Sequence, residues 1–433
     1  MSRHHPLQFK ASRPFGELAQ TSARELAILA ACAVVISACD PEPPEVEHCH
    51  PASGTICSVA GVDHAGFGGD GGPAVDAAIY LPQDMTVGPD GHLYLLDWNN
   101  HRVRRIHSAS GVIETVAGTG LLGDGPEGPA LAADFNHPTN IVFDSEGKMI
   151  IAAWHNSRIK VVDLDTAELV DTCGTGARAY KGDGGPANDA ALDRPASVAL
   201  DASDNLYIMD QANQVIRKVT PDGVITRVAG SCLVNECKDG QVPEVCPDTN
   251  KFACDLAGQP DACKKACQPA FGGDGGPALE MRMAQPFGQQ ADPAGRMAID
   301  ADGNIYFADT DNHRVRRIDA ATGSVETVAG NGTHGFAGDG GKATEAELYR
   351  PIDVALAEDG TLFVADTFNS CVRAIKGGII TTIAGQCGER GFSGDGGDPA
   401  TAKLDRPYGI TLAPSGELYI ADTYNHRVRV VTP

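Results

Sequence analysis

Asp309-Thr310-Asp311-Asn312-His313-Arg314-Val315-Arg316-Arg317-Ile318 decides the fold, because the chain repeats this sentence six times. A close copy occupies residues 422–430, and looser copies lie at 97–106, 153–162, 210–219 and 366–375. The asparagines fall at Asn100, Asn156, Asn213, Asn312, Asn369 and Asn425, so successive copies stand 56, 57, 99, 57 and 56 residues apart. A fixed period of this size, broken once by an insertion, indicates a repeat array rather than a doubly wound or hydrolase fold.

Each unit holds four short runs with strand character, which in the fourth unit are residues 296–301, 304–308, 314–318 and 324–329. Asp302-Gly303 between the first two is a two-residue hairpin signal. Apolar residues alternate in Asn304-Ile305-Tyr306-Phe307-Ala308, which is strand periodicity. Four antiparallel strands repeated radially give an all-β, six-bladed β-propeller. A second phrase, Gly-Asp-Gly-Gly-Pro-Ala, joins the units at 69–74, 182–187 and 273–278, with variants at 123–125, 338–341 and 394–400. An apolar residue then precedes a proline or proline-like start: Ile79, Phe135, Leu192, Met283, Leu348 and Leu404. This reads as a glycine turn, one helical turn, and an anchor dropping between blades. The alternative is that the aspartates bind structural calcium, although the spacing lacks the ligand density of an EF-hand loop.

Asp-Thr-x-Asn-His-Arg-Val-Arg, followed by Val-Ala-Gly and Gly-Asp-Gly-Gly-Pro-Ala, resembles the NHL repeat family over about residues 53–433. The resemblance implies a propeller, commonly of six blades. The sixth unit stops after its third strand, at Pro433, whereas residues 53–61 match the fourth strand of the first unit at 110–118. The N-terminal strand is therefore expected to complete the last blade and remove two open edges.

Residues 26–38 form an apolar run after Arg3, Lys10, Arg13 and Arg24, of signal-peptide length. Ile36-Ser37-Ala38-Cys39 resembles a bacterial lipobox, which implies a signal peptide at 1–38, a lipid-modified Cys39 and a tether at 39–52. An ordinary cleaved signal is the alternative. Thirteen cysteines fit an oxidising compartment, periplasmic or cell-surface. Cys232, Cys237, Cys246, Cys254, Cys263 and Cys267 fall in one insertion, 231–270, read as a disulfide knob rather than a zinc site. Cys371 with Cys387 and Cys49 with Cys57 are expected pairs; Cys173 is expected to be a buried free thiol.

A net charge of −23 removes the basic face that a nucleic-acid partner requires. No nucleophile elbow, zincin helix or phosphate-binding loop is present. Function is therefore expected on the loops around the channel mouth. Asp84, Asn140, Ser197 and Asp353 follow the blade prolines there. Trp98 and Trp154 replace the repeat threonine and are the two tryptophans of the chain; His137 and His155 occur in blade two alone in their local settings, and blade four carries an addition at 287–294. These residues suit a protein or small polar ligand, or packing between blades. The expectation is a monomeric, lipid-anchored binding scaffold at the cell envelope, with no cofactor and no catalytic residues. The alternative is a metal-dependent lyase or lactonase-like hydrolase working at the channel, an activity some relatives of the resembled family carry out with channel histidines.

Overall fold

The computed structural model describes residues 49, 51–125, 127–231, 269–288 and 291–433. The signal segment, Cys39 and the six insertion cysteines lie outside the described residues. The rest forms six antiparallel sheets whose four main strands run in chain order from the axis outward, except that blade two adds a two-residue strand, Gly128–Pro129, at its outer edge and blade six takes its outer strand from the N-terminal end. Blade one is Pro82–Val87, Leu93–Asp97, Arg102–Ile106 and Ile113–Ala117. Blades two and three begin at Pro138–Phe143 and Pro195–Leu200, and blades four, five and six at Met297–Ile299, Asp353–Leu356 and Pro407–Leu412. The helical segments among the described residues are three-residue 3-10 turns.

The ring closes as the repeat phase demands. Ile56–Ala60 lies antiparallel to Arg427–Val431, with Ile56 opposite Val431, and so supplies the outer strand of blade six. The backbone ladder continues beyond it, from Gly54 N to Thr432 O at 3.0 Å and from Thr432 N to Thr55 O at 3.1 Å. Cys49 is bonded to Cys57 within this strand, Cys371 to Cys387 across the outer edge of blade five, and Cys173 is a buried free thiol.

One detail of the hairpins departs from the sequence reading. The first and second strands of blade four are joined by residues 300–304 rather than by a two-residue turn, because Ile299 pairs with Ile305. The reason lies in Asp300, whose carboxylate accepts the backbone N–H groups of Asp302 and Asn304 and so builds a wider turn. Asp144 and Asp201 do the same in blades two and three.

Anchors and cations hold neighbouring blades together. Ile79, Phe135, Leu192, Leu348 and Leu404 are 0 % exposed and Met283 2 %, each in an apolar cluster shared by two adjacent blades. The basic residue four places after each repeat asparagine is fully buried: Arg104, Lys160, Arg217, Arg316, Arg373 and Arg429. Arg316 is typical. Its Nε and Nη2 reach Asp274 of the Gly-Asp-Gly-Gly connector at 3.0 and 2.7 Å, and its Nη1 reaches Asp309 at the end of the second strand at 3.2 Å. Asp274 also accepts the Thr327 hydroxyl at 2.6 Å. The connector aspartates, which the calcium alternative had as ligands, thus spend their oxygens on a buried guanidinium and on the fourth strand.

In every blade but the second, the left-handed residue after the repeat asparagine ties one blade to the next. His101, His313 and His426 have φ of 53–55°, and each presents Nδ1 to the backbone N–H of the following blade. Ser370 and Gln214 do so with side-chain oxygens. Accepting at Nδ1 requires a neutral ring, and burial lowers the pKa of all three histidines. Deleting residues 49–61 removes the closing strand and bares the edge of blade six. The expected result is an aggregating product with a lower melting temperature than the full chain, read by size-exclusion chromatography and thermal melts; a deletion that stays monomeric and equally stable contradicts this closure.

Candidate functional site

Thirteen residues before the end of each second strand the chain comes closest to the axis. The positions are Asp84, Asn140, Ser197, Arg296, Asp353 and Gly409. Four of the sequence candidates therefore lie on this ring, all buried: Asp84 at 3 % exposure, Asn140 at 8 %, Ser197 at 0 % and Asp353 at 5 %. The polar atoms of Asp84, Asn140 and Asp353 are committed to one another and to neighbouring blades. Asn140 donates to Asp84 at 2.7 Å and accepts from Val198 N at 2.7 Å. Asp84 also accepts from Ile141 N, and Asp353 from Ile410 N and its own neighbour Val354 N. As seated here they cross-brace the inner strands beneath the mouth and present no free oxygen to a ligand.

Arg296 occupies the axis itself. Its guanidinium donates to Gln83 O and Thr139 O at 2.7 Å and to Tyr408 O at 3.2 Å, and it pairs with Asp84 and Asp353 at 3.2 Å. It thus reaches from blade four to blades one, two, five and six while being 1 % exposed. Gly409 gives it room, since a Cβ there meets Gln83 O at 2.6 Å and Arg296 Nη1 at 2.7 Å. Burial pushes the carboxyls of both aspartates up, Asp353 to about 7, and the shared guanidinium pulls them back down. Sequence reasoning passed over Arg296 because the addition at 287–294 separates it from the proline marker used in other blades. Counting thirteen residues back from Asp309 finds it.

The mouth above this plug is uneven. In blades four, five and six the first residue of the turn after the second strand is threonine. Thr310, Thr367 and Thr423 each donate to the carbonyl of the next blade's proline, at 2.7 Å. Trp98, Trp154 and Gln211 stand at that position in blades one, two and three. There the repeated tie gives way to a depression of about 170 Å³, lined by Leu81, Gln83, Trp98, Trp154, His155, Tyr408 and Tyr424, with residues 291–293 on one side.

Trp98, Trp154, His137 and His155, the four repeat-breaking residues, come together in different roles. Trp154 is 2 % exposed, donates Nε1–H to Gln211 at 3.1 Å, and stacks on His155 at 4.1 Å between centroids. Trp98 is partly exposed and leans on His137 at 4.6 Å. His137 and His155 meet through their Nδ1 atoms at 3.1 Å, so an imidazole pair bridges the two indoles. Burial drives both imidazoles down to about 4, and they are neutral at pH 7. The described end of the addition is pinned at the same place: Gln211 donates to Asp292 O and to the preceding Pro286 O at 2.8 Å, and Tyr408 Oη to Asp292 at 2.8 Å. Among the described residues no three His, Cys, Asp or Glu side chains converge as metal ligands.

The chain resembles known proteins throughout this ring. A model of the teneurin NHL domain matches residues 71–251, and one of the NHL repeat matches residues 404–431. With six four-stranded blades, these matches support an NHL-repeat propeller. Human Teneurin-1 is 26 % identical over 391 residues, covering 83 % of this chain and 12 % of its own length. The chain thus spans about an eighth of that relative. Two solved structures from Bacteroides thetaiotaomicron share the fold. One is a structural-genomics protein of unknown function, with TM-score 0.59 and 17 % identity, covering 87 % of this chain and 74 % of the other. The other is described as an auxiliary nutrient binding protein, with TM-score 0.55 and 15 % identity, covering 87 % and 75 %.

Replacing Arg296 by Met leaves Asp84 and Asp353 buried without a counter-charge and should cost about 3–5 kcal/mol of stability. Adding Asp84→Asn and Asp353→Asn to the same variant is expected to recover much of that loss. Denaturant melts of the single and triple variants check both parts.

Proposed function

We propose that this chain is an exported binding scaffold, a rigid propeller whose sealed channel forms the floor of a ligand site at the mouth. The observation that carries the reading is local. Three blades share a threonine tie, and the other three exchange it for Trp98, Trp154 and Gln211, opening an aromatic depression directly over the Arg296 plug. A fold that needs only closure has no use for that asymmetry, and concave sites with aromatic walls and a few placed polar groups are where small ligands bind. One solved neighbour's description as a nutrient binding protein, and the teneurin NHL match, agree with a role in binding.

Export is supported by the two disulfides, which persist in oxidising compartments. On this reading Cys39 carries the lipid anchor, and the chain works as a monomer held to the membrane through it. The scaffold reading is preferred to the metal-dependent enzyme, because the axis at the inner ring is filled by a guanidinium rather than by converging ligands. Replacing Cys39 by Ser is expected to move the protein from the membrane to the soluble fraction, and mass spectrometry of the mature N-terminus tests this directly. A mature N-terminus that starts elsewhere and carries no lipid rules the anchor out.

The two tryptophans separate binding from packing. Trp154→Ala removes a buried, hydrogen-bonded ring and should cost about 3–5 kcal/mol of stability. Trp98→Ala should change the melting temperature far less while abolishing the shifts that a panel of small polar ligands and short peptides produces in the wild type. Equal losses of stability in both variants, with ligand-induced shifts preserved, turn Trp98 into a packing residue and remove the site.

A further inference from the structure

Two polar atoms in the wall of the depression are buried and have no hydrogen-bond partner. Gln83 is 2 % exposed and its Oε1 accepts nothing; the Nε1–H of Trp98 donates to nothing. Native structures leave few such atoms, and each one calls for a cause. The neighbouring Trp154 shows the contrast, since Gln211 satisfies its indole. An unused acceptor and an unused donor therefore line the same small space, next to aromatic surface.

We infer that the depression takes a neutral pyranose ring, a monosaccharide or the end of a short glycan; this rests on the reading of the mouth as a binding site. A hydroxyl is the group that both donates and accepts, so adjacent hydroxyls of one ring answer Gln83 Oε1 and Trp98 Nε1–H together. The C–H face of a pyranose carries the positive edge that an aromatic face attracts. Trp98, His155 and Tyr424 are the lining rings that keep exposed surface, at 40 % for Tyr424, whereas Tyr408 is 1 % and Trp154 2 % exposed. Asp292 offers a further acceptor at the rim, its charge shared with the Tyr408 hydroxyl and with Arg350 at 3.5 Å. No lysine or arginine lines the space, so a carboxylate ligand finds no counter-charge there. A wholly apolar ligand leaves Gln83 and Trp98 as they are. The volume of about 170 Å³ is below the roughly 300–1,000 Å³ of drug-sized sites and suits one ring.

The chain's two tryptophans make the test direct, because a ¹⁵N-labelled sample shows two indole N–H resonances. Trp98→Phe assigns them and also removes the donor while keeping an aromatic ring. The full chain is titrated with methyl glucoside, methyl galactoside, methyl mannoside and their disaccharides, and in parallel with glucuronate and end-blocked tripeptides. The inference expects a saturable shift of the Trp98 resonance with at least one neutral pyranoside, larger than that of Trp154. Gln83→Leu and Trp98→Phe should each weaken that binding about tenfold or more, with melting temperatures close to wild type. If the tripeptides move the Trp98 resonance and no pyranoside does, the mouth remains a binding site and the sugar assignment is overturned. If no probe of any class moves it, both readings fall. Unchanged pyranoside affinity in Gln83→Leu also overturns the assignment.

Discussion

Each blade closes around a side-chain cation that no water reaches. Arg104, Arg217, Arg316, Arg373 and Arg429 are 0 % exposed, and each sits between a strand-end aspartate and a connector aspartate. A buried charge is tolerated only when it is paired and hydrogen-bonded. The guanidinium therefore fixes three things together: the end of the second strand, the register of the third, and the path of the connector arriving from the previous blade. Its planar fork suits two carboxylates and two carbonyls at once, which an ammonium cannot match. Blade two shows the rule by its exception. There Ala153 replaces the strand-end aspartate, and the cation is the smaller Lys160, paired with Asp124 at 3.1 Å. Asn156 supplies the missing acceptor by taking Asn136 N at 2.8 Å, the bond that Asp97 makes to Tyr80 N in blade one.

The turn that follows this adapted strand end carries Trp154 and His155, and blade one carries Trp98 after an ordinary Asp97. Residues 291–293 of the blade-four addition line the same depression, with Asp292 held by Gln211 and Tyr408. The asymmetry of the mouth is thus built from departures in blades one to four, while the threonine ties of blades four to six stay regular. Arg296 stabilises the whole arrangement from below, because a single guanidinium satisfies carbonyls of three blades and carboxylates of two.

The fold was legible from Asp309–Ile318 and its copies because repetition multiplies weak local signals. Each strand alone is short, but six in phase specify a ring, and the missing fourth strand of the last unit specifies where the ring closes. The buried status of the anchors followed from the same phase. The hairpin at Asp302-Gly303 was misjudged because the turn length is set by the Asp300 carboxylate capping two N–H groups, which a dipeptide signal does not contain.

The site was legible only in part. Trp98, Trp154, His137 and His155 stood out as breaks in a pattern, and neighbouring blades bring the equivalent positions of Trp98 and Trp154 together, whereas the meeting of the two histidines with them came from the fold. Which indole is buried and which faces the depression depended on Gln211 and the addition over it, groups that phase alone does not place. Asp84, Asn140 and Asp353 were located at the axis by their register, yet their commitment to Arg296 and to the next blade arises from contacts 56 to 212 residues apart. Sequence by itself determined the number of blades, their strands and the seam, because these depend on local period. Tertiary structure alone decided that the channel is plugged and the mouth open on one side, because those depend on which side chain reaches the axis first.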